Sequence, residues 1–185
     1  MKSMSYVFDI ETLHAIARKG LGKAHDEMVR IVVEEAALAY PAHIDSSPRR
    51  RWLFSLTAGA TGVMTLLHAS FSEYLIIFGT PVGTEGFSGR YHMDIHDFLL
   101  AGDIWTYRQD RCGVREVVRP GDHIVLERGN VKGFKIPEAA WMLEYGRGSY
   151  RPPSRSSWVM CCSALSMERP WPRLCGRMAR WRCVS

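Results

Sequence analysis

Residues 72–78 read Ser-Glu-Tyr-Leu-Ile-Ile-Phe, and from this point the sequence takes on a period of two. Successive side chains of a β-strand point to opposite faces, so Tyr74, Ile76 and Phe78 share one face of the predicted strand. Frequent turn residues follow the segment, beginning with Gly79. This pattern predicts a sheet rather than a helix from Ser72 onward.

The segment 91–100 continues the pattern of alternating faces. One face of this predicted strand carries Tyr91, Met93, Ile95, Asp97 and Leu99. The other carries His92, Asp94, His96, Phe98 and Leu100. The first face is the more apolar one, so we expect it to point inward, and Asp97 is then a carboxylate on an otherwise apolar surface.

Several further short strands follow at close spacing. They are predicted at Ile104–Arg108, Val114–Val118, Asp122–Glu127 and Ala140–Tyr145. The tripeptide Pro120-Gly121-Asp122 is a strong turn signal, since proline presets one backbone dihedral and glycine relieves the next. Many short strands after a helical start predict an α+β protein, in which N-terminal helices pack on a small, closed, cupin-like β-barrel.

The N-terminal region has helical periodicity. A first helix is expected to begin after Asp9, as its N-cap, and to end near Gly20. A second is expected to follow Asp26 and to stop at Pro41. Its predicted packing face consists of Met28, Ile31, Val32, Ala36 and Ala39.

The 20 residues from Trp52 to Phe71 carry no formal charge and follow three arginines. This length and this positive flank satisfy the simplest criteria for a membrane span. Serine, threonine and glycine residues interrupt the segment, however, and a span would be more uniformly apolar. We therefore expect a buried turn and a short helix that leads into a strand.

Charge and cysteine divide the chain at Gly148. The first 148 residues carry 17 Lys and Arg against 18 Asp and Glu, whereas residues 149–185 hold seven Arg and one acid. The body therefore gives no electrostatic case for nucleic acid as a partner. Four of the five cysteines also lie in the tail, at spacings that fit neither a zinc site nor a disulfide framework. The sequence suggests a helical region over 1–50, a barrel over 51–148 and an aberrant, unstructured tail over 149–185.

Two acids are the candidates for chemistry, Asp97 and Glu144. Glu144 lies within Trp-Met-Leu-Glu-Tyr at residues 141–145, where its neighbours would exclude water. Burial raises the pKa of a carboxyl group and allows it to exchange a proton near neutral pH. If the two strands are neighbours, the acids could share a proton or divide the acid and base roles. The alternative is that each is simply paired with an arginine or with backbone amides.

A second constellation is His92-x-Asp94-x-His96. Its three side chains share a strand face and could bind a metal, as the His-x-His element of metal-dependent cupins does. That face could equally be in contact with solvent. A metal-dependent cupin enzyme is therefore a lesser alternative.

Four motifs together resemble the sterol C-8 isomerase and sigma non-opioid receptor family. They are Leu-Leu-His-Ala-Ser-Phe-Ser-Glu-Tyr at 66–74, Phe-Gly-Thr at 78–80, Ser-Gly-Arg-Tyr at 88–91 and Trp-Met-Leu-Glu-Tyr-Gly-Arg-Gly at 141–148. The resemblance implies a cupin-like barrel, without a metal or other cofactor, around an elongated hydrophobic pocket. In it, Glu144 matches the essential pocket glutamate and Asp97 the acidic partner.

The resemblance also implies which residues bind the ligand. Its substrate-binding positions match Tyr74, Ile76, Phe78, Met64, Ile95, Asp94 and His68. For His68 and Glu73 a purely structural hydrogen bond is as good an interpretation as a direct role. The implied ligands are a sterol and cationic amphiphilic inhibitors.

Two functions exist within this family. The isomerase branch moves the ring-B double bond of a sterol from C8 to C7 during the synthesis of ergosterol-type sterols. The receptor branch binds sterols and cationic amphiphiles without catalysis. Phe8-Asp9 and Leu13-His14-x-Ile16-Ala17 resemble the fungal isomerase branch more closely, so we expect an enzyme, with the receptor-like binder as the alternative.

The resemblance implies association with the surface of the endoplasmic reticulum membrane and a possible homotrimer. Relatives begin with a hydrophobic anchor, which is absent before Tyr6, and continue after Gly148 into apolar helices. Residues 149–185 instead have the composition that a shifted reading frame produces, and a genuine basic tail is the alternative. We expect the chain to be inactive if that tail is aberrant.

Overall fold

A computed structural model describes residues 6–44 and 50–148. The predicted tail over 149–185 lies outside the described residues. The described part contains two α-helices, α1 (Ile10–Lys19) and α2 (His25–Ala39). Within it, no helix is long and apolar enough to cross a membrane.

Capping hydrogen bonds set the two boundaries of α1. Asp9 is the N-cap, and its Oδ2 accepts a hydrogen bond from the Thr12 N–H at 2.8 Å. Gly20 caps the other end, where its N–H donates to the Ala17 carbonyl. The predicted start and end of α1 are therefore confirmed.

The helix α2 stops before Pro41, as predicted, but its buried face is rotated from the predicted one. The buried side chains are Met28, Val29, Val32, Val33 and Ala36. Ala39, which we expected to be buried, is exposed. The reason is that Val29 and Val33 extend the apolar stripe on the side toward the sheet, which the sequence alone did not distinguish from the side of Ile31.

Ten strands of the described residues form two antiparallel sheets. The six-stranded sheet has the order β1-β2-β3-β10-β5-β8 and the four-stranded sheet the order β4-β9-β6-β7. Their bounds are β1 Leu53–Thr57, β2 Ala60–Ala69, β3 Glu73–Thr80, β4 Thr84–Phe87, β5 Met93–Gly102, β6 Ile104–Arg108, β7 Glu116–Val118, β8 His123–Leu126, β9 Lys132–Ile136 and β10 Ala140–Gly148. A single turn of 3₁₀-helix, Gln109–Arg111, follows β6.

The predicted closed barrel is wrong, because the two sheets are separate. Closure requires a continuous ladder of hydrogen bonds around the sheet. Among the described residues, β7 pairs with β6 and β8 pairs with β5, and the two strands do not pair with each other. At the other end the sheets meet at a corner, where the Phe87 N–H donates to the Ala58 carbonyl at 3.2 Å and the Thr61 N–H donates to Thr84 Oγ1 at 2.8 Å. The result is two facing sheets with open edges.

The segment Trp52–Phe71 forms a hairpin, so the predicted short helix in it is wrong. Strands β1 and β2 pair in a register that leaves only Ala58 and Gly59 as the loop. Both residues have positive φ, 44° and 94°. Two-residue hairpins favour this geometry because its twist matches that of the strands. After this loop the chain continues as strand β2, which includes the β-branched residues Thr61, Val63 and Thr65.

The hydrophobic core lies on both faces of the six-stranded sheet. One cluster contains buried residues of both helices together with one face of the six-stranded sheet, including Leu13, Val32, Leu75, Phe98 and Leu143. Two smaller clusters contain side chains from the opposite face of that sheet. The alternation read from β3 and β5 is thus confirmed, and one face of the six-stranded sheet is turned toward the four-stranded sheet.

Candidate functional site

The candidate site is built on β10, which lies between β3 and β5. In the register of the sheet, Glu144 is opposite Ile76 on β3 and opposite Asp97 on β5. Side chains at directly opposite positions lie on the same face, with Cβ atoms about 5 Å apart. The two acids selected from the sequence are therefore immediate neighbours on the face that looks toward the four-stranded sheet.

Tyr74 is the hydrogen-bond partner of Glu144. Its hydroxyl donates to Glu144 Oε1 at 2.6 Å. Tyr74 lies opposite Gly146 on β10, and a Cβ atom added to Gly146 would collide with the Tyr74 ring. The absence of a side chain at Gly146 therefore lets the tyrosine ring lie across β10 and reach the carboxyl group.

Asp97 has a different partner, Lys132 on β9. The Lys132 Nζ donates to Asp97 Oδ2 at 2.8 Å, and the two side chains are only 12% and 10% exposed. A buried ion pair is maintained only when both groups are charged and hydrogen-bonded. The interaction thus links the two sheets through a largely buried ion pair.

The surroundings of Glu144 favour its protonated form. Burial, and then the negative charge of Asp97, raise the pKa of Glu144 to about 7, against the hydrogen bond from Tyr74 and the charge of Lys132. Burial and the nearby Glu144 carboxyl likewise raise the pKa of Tyr74, which keeps its hydroxyl a donor. The site therefore combines a carboxyl group paired with a lysine and a second carboxyl group that holds its proton up to neutral pH.

Apolar side chains surround the two acids on the same face. Met64 lies opposite Phe78, which in turn lies opposite Met142 on β10. Ile95 lies opposite Gly146 and belongs to the small hydrophobic cluster against which the Tyr74 ring packs. Four of the predicted lining residues, Met64, Ile76, Phe78 and Ile95, are thus brought to the face that carries Glu144 and Asp97.

Two other predicted substrate-binding residues lie away from this face. Asp94 has the opposite strand parity from Asp97, and its Oδ1 accepts the Arg128 N–H at 2.9 Å. The His68 ring packs edge-on against Phe8 in the helix-side cluster, and its Nδ1 bonds the His43 carbonyl at 2.9 Å. Both residues therefore make structural contacts on the other side of the sheet.

The His92-x-Asp94-x-His96 element does not converge on a common point. His92 is exposed, Asp94 is bonded to Arg128, and His96 is buried with its Nδ1 at 3.0 Å from His123 Nε2. Across residues 6–44 and 50–148, no group of three or more His, Cys, Asp or Glu side chains is placed to hold a metal ion.

An open cleft gives access to the Lys132 side of the pair. It encloses about 450 Å³, including space that is open to solvent. Its lining comes from β6, β7, β8, the loop after β8 and the start of β9: Thr106, Arg108, Glu116, Ile124, Val125, Leu126, Glu127, Asn130, Val131 and Lys132. Lys132 therefore both lines this cleft and contacts Asp97.

Lys132 is a site residue that the sequence reading missed. The signal was present in residues 132–136, Lys-Gly-Phe-Lys-Ile, where Lys132 has the same parity as Phe134 and Ile136. A lysine at an inward position of a strand requires a partner, which points to a buried carboxylate. The sequence pattern predicts no strand at residues 132–136 and therefore assigns Lys132 to neither face.

Gly146→Ala is expected to displace Tyr74 and break its bond to Glu144. We expect the unfolding free energy to fall by about 1–3 kcal/mol, as in other overpacked cores. The pKa of Glu144 should rise further, because the Tyr74 hydrogen bond holds it down. Gly113→Ala is the control, since a Cβ there meets nothing within 4 Å. Equal stability of the two variants in urea denaturation would contradict the account of Gly146.

Comparison with known proteins identifies the family of this chain. The family model described as "ERG2 and Sigma1 receptor like protein" matches residues 1–154. Among curated proteins, the sigma non-opioid intracellular receptor 1 of Danio rerio is 39% identical over 150 residues, covering 80% of this chain and 66% of the relative. The C-8 sterol isomerase ERG2 of Gibberella zeae is 37% identical over 151 residues, covering 80% and 63%. The chain thus spans slightly less than two thirds of these relatives.

Solved structures with similar folds include cupins at low sequence identity. An RmlC-like cupin from Shewanella frigidimarina has a TM-score of 0.48 and 14% identity, covering 63% of this chain and 95% of that one. The polyketide cyclase RemF of Streptomyces resistomycificus has a TM-score of 0.49 and 20% identity, covering 56% and 77%.

Proposed function

The chain belongs to the ERG2 and Sigma1 receptor like protein family, and from this membership we propose that it is a sterol isomerase that moves a ring-B double bond from C8 to C7. The observation that carries the proposal is the cross-strand pair of Glu144 and Asp97, in which burial and the neighbouring Asp97 raise the pKa of Glu144 to about 7. Isomerisation of an alkene begins with protonation, which requires an acid. The carbocation that results must then be stabilised by a nearby negative charge.

In the proposed reaction the substrate gains one proton at C9 and loses another from C7. Glu144 donates its proton to C9 of the 8-ene, and the π electrons form the new C9–H bond. The resulting tertiary cation at C8 lies beside two carboxylates, which stabilise it in a site with little water. Loss of a proton from C7 to a carboxylate forms the C7=C8 bond. No electrons leave the substrate, so the step requires no redox cofactor.

The remaining site residues orient the substrate. The apolar face formed by Met64, Ile76, Phe78 and Ile95 suits a rigid, uncharged ring system, which it would hold by hydrophobic contact. Tyr74 fixes the rotamer of Glu144 through its 2.6 Å hydrogen bond. A sterol of this kind is a membrane lipid, and we accordingly propose the endoplasmic reticulum membrane surface as the place of action.

The second candidate function is binding of sterols and cationic amphiphiles without catalysis. It is favoured by the sigma receptor relative, whose 39% identity is close to the 37% of the fungal isomerase. The site residues are compatible with both functions, because a buried carboxylate pair can also hold an amine.

Sterol analysis separates the two functions. The chain would be expressed in a fungal cell that lacks its own C-8 sterol isomerase, and 8-ene and 7-ene sterols would be quantified. We expect conversion of the accumulated 8-ene to the 7-ene. Normal expression and ligand binding without any 7-ene sterol would favour the non-catalytic binder and overturn the isomerase proposal.

A further inference from the structure

Three histidines meet on the helix side of the six-stranded sheet, the side opposite to Glu144. His14 lies on α1, His96 on β5 and His123 on β8. Ring centroids are 5.6 Å apart for His14 and His123, and 5.2 Å apart for His96 and His123, whose rings are stacked. We call these three side chains the histidine cluster. The proposed function makes no use of them.

The histidine cluster connects α1 to the sheet. The His14 ring stacks on Phe98 of β5 with 5.5 Å between centroids, and its Nε2–H donates to the Gly121 carbonyl at 2.9 Å. On the side of β10, the His96 ring stacks on Tyr145 at 5.9 Å. Burial raises the pKa of the Tyr145 hydroxyl, so this neighbour carries no charge. His14 thus ties α1 both to β5 and to the turn before β8.

The hydrogen bond within the histidine cluster requires that at least one of its two rings is neutral. His96 Nδ1 and His123 Nε2 are 3.0 Å apart, so one nitrogen carries a hydrogen and the other accepts it. Once both rings are protonated, two N–H groups face each other and two positive charges repel. Protonation also gives His96 an Nε2–H, and this nitrogen is buried with no partner among the described residues. Acid therefore destabilises the cluster.

The surroundings of His96 favour its neutral form. His96 is only 4% exposed, and burial together with the charge of Arg147 on β10 lowers its pKa to about 4. His123 adds to this effect, whereas the acids Asp94 and Asp97 on β5 oppose it. His96 is therefore uncharged at neutral pH while α1 is in place.

His123 is affected in the same direction. Burial, and then the charge of His14, lower the pKa of His123. The charges of Glu11 on α1 and of Asp97 on β5 oppose this change. Both rings of the hydrogen-bonded pair are thus harder to protonate in the cluster than in an exposed chain.

We propose that the histidine cluster is an acid-sensitive latch for α1: its neutral rings hold the helix on the sheet, and their protonation favours a state in which α1 is released. Between about pH 4 and 6.5 a released His96 binds a proton that the held ring does not. Acidification within this window therefore favours release. Above pH 6.5 both states are neutral and α1 is held most firmly. The latch is independent of the proposed function, because it lies on the other face of the sheet.

Release of α1 would change the surface of the protein. The buried side chains of α1 are Leu13, Ile16 and Ala17, and they pack in one cluster with Phe98 of the sheet. Both sides of this contact would become accessible to solvent. An acidic environment would therefore expose an apolar surface that is covered at neutral pH.

Hydrogen exchange followed by mass spectrometry tests the latch on the purified full chain. Exchange is measured at about pH 7.5 and about pH 5 and expressed as protection factors, which remove the intrinsic pH dependence of the chemistry. Each pH unit within the window changes the release equilibrium by up to about tenfold per histidine. We therefore expect amides of α1 to lose at least about tenfold in protection at the lower pH, while amides of β10 lose none.

Two variants of His96 remove its charge in different ways. His96→Gln keeps a hydrogen-bonding side chain, and His96→Phe keeps an aromatic ring against its neighbours, so each can replace the other if one does not fold. In both, the loss of protection in α1 should shrink to about threefold or less, which His123 alone would leave. The readout compares two pH values, so a general loss of stability in a variant cancels. His92→Gln replaces an exposed histidine just before β5 and should behave as the wild type.

Three results would overturn the latch. One is equal protection of α1 in the wild type at the two pH values. Another is the full wild-type loss of protection in a folded His96 variant, since the charge of that ring would then have no part in it. The third is an equal loss in β10, because acid would then unfold the whole sheet rather than release one helix. Sterol turnover plays no part in this experiment, so the proposed function stands or falls separately.

Discussion

Glu144→Gln is expected to reduce sterol isomerisation by at least about 10³-fold, because general acid catalysis and stabilisation of the cation both depend on this carboxyl group. The amide has the same shape and can still accept the hydrogen bond from Tyr74. It cannot donate a proton to an alkene. The variant should therefore keep the fold and the apolar binding face while losing the chemical step.

The matched control for this variant is Glu138→Gln. Glu138 lies in the loop before β10 and is exposed, so the same substitution there should leave turnover within about twofold of the wild type. Circular dichroism and urea denaturation would show whether both variants are folded. Turnover by folded Glu144→Gln at a rate near that of the wild type would contradict the role assigned to Glu144.

Glu73→Ala is expected to give the largest loss of stability among the acidic residues discussed above, about 3 kcal/mol. Glu73 is 2% exposed and accepts hydrogen bonds from the Val7 N–H at 2.9 Å and from the Tyr145 hydroxyl at 2.9 Å. Its carboxylate also accepts a weaker bond from the Phe8 N–H. Alanine would leave these buried donors without their acceptor and release the segment before α1.

The control for stability is Glu85→Ala, which breaks an exposed ion pair with Lys135 and should cost less than about 1 kcal/mol. Urea denaturation of both variants gives the comparison. A loss at Glu73 as small as that at Glu85 would contradict the structural role. Glu73→Gln retains an acceptor for Tyr145 and should recover part of the lost stability.

Alternation along single strands was enough to predict the faces of the site. The period of two places Tyr74, Ile76, Phe78 and Asp97 on inward faces, and in the structure they share the face opposite to Leu75, Ile77 and Phe98, which pack against the helices. What alternation could not supply is which strands are neighbours. The pairing of Asp97 with Glu144 depends on β10 entering between β3 and β5, a long-range feature with no local signal.

Each sequence-based prediction that is wrong has a physical cause. The hairpin from Leu53 to Ala69 was missed because its loop uses Ala58 in a positive-φ conformation, where glycine or asparagine would have been the usual signal. The closed barrel was expected from the number of strands, but closure depends on the pairing of β7 and β8, which contain only three and four residues. Lys132 was missed because β9 was missed.

Infrared difference spectroscopy of the Glu144 carboxylic acid C=O stretch shows directly whether this group holds a proton at neutral pH. The purified chain would be titrated with pH, with Glu144→Gln as the reference that identifies the band. We expect the band to disappear with a midpoint near pH 7, and this midpoint to fall in Asp97→Asn, since burial and the charge of Asp97 raise the pKa of Glu144. A midpoint near the ordinary glutamate value of 4.5 would contradict the account.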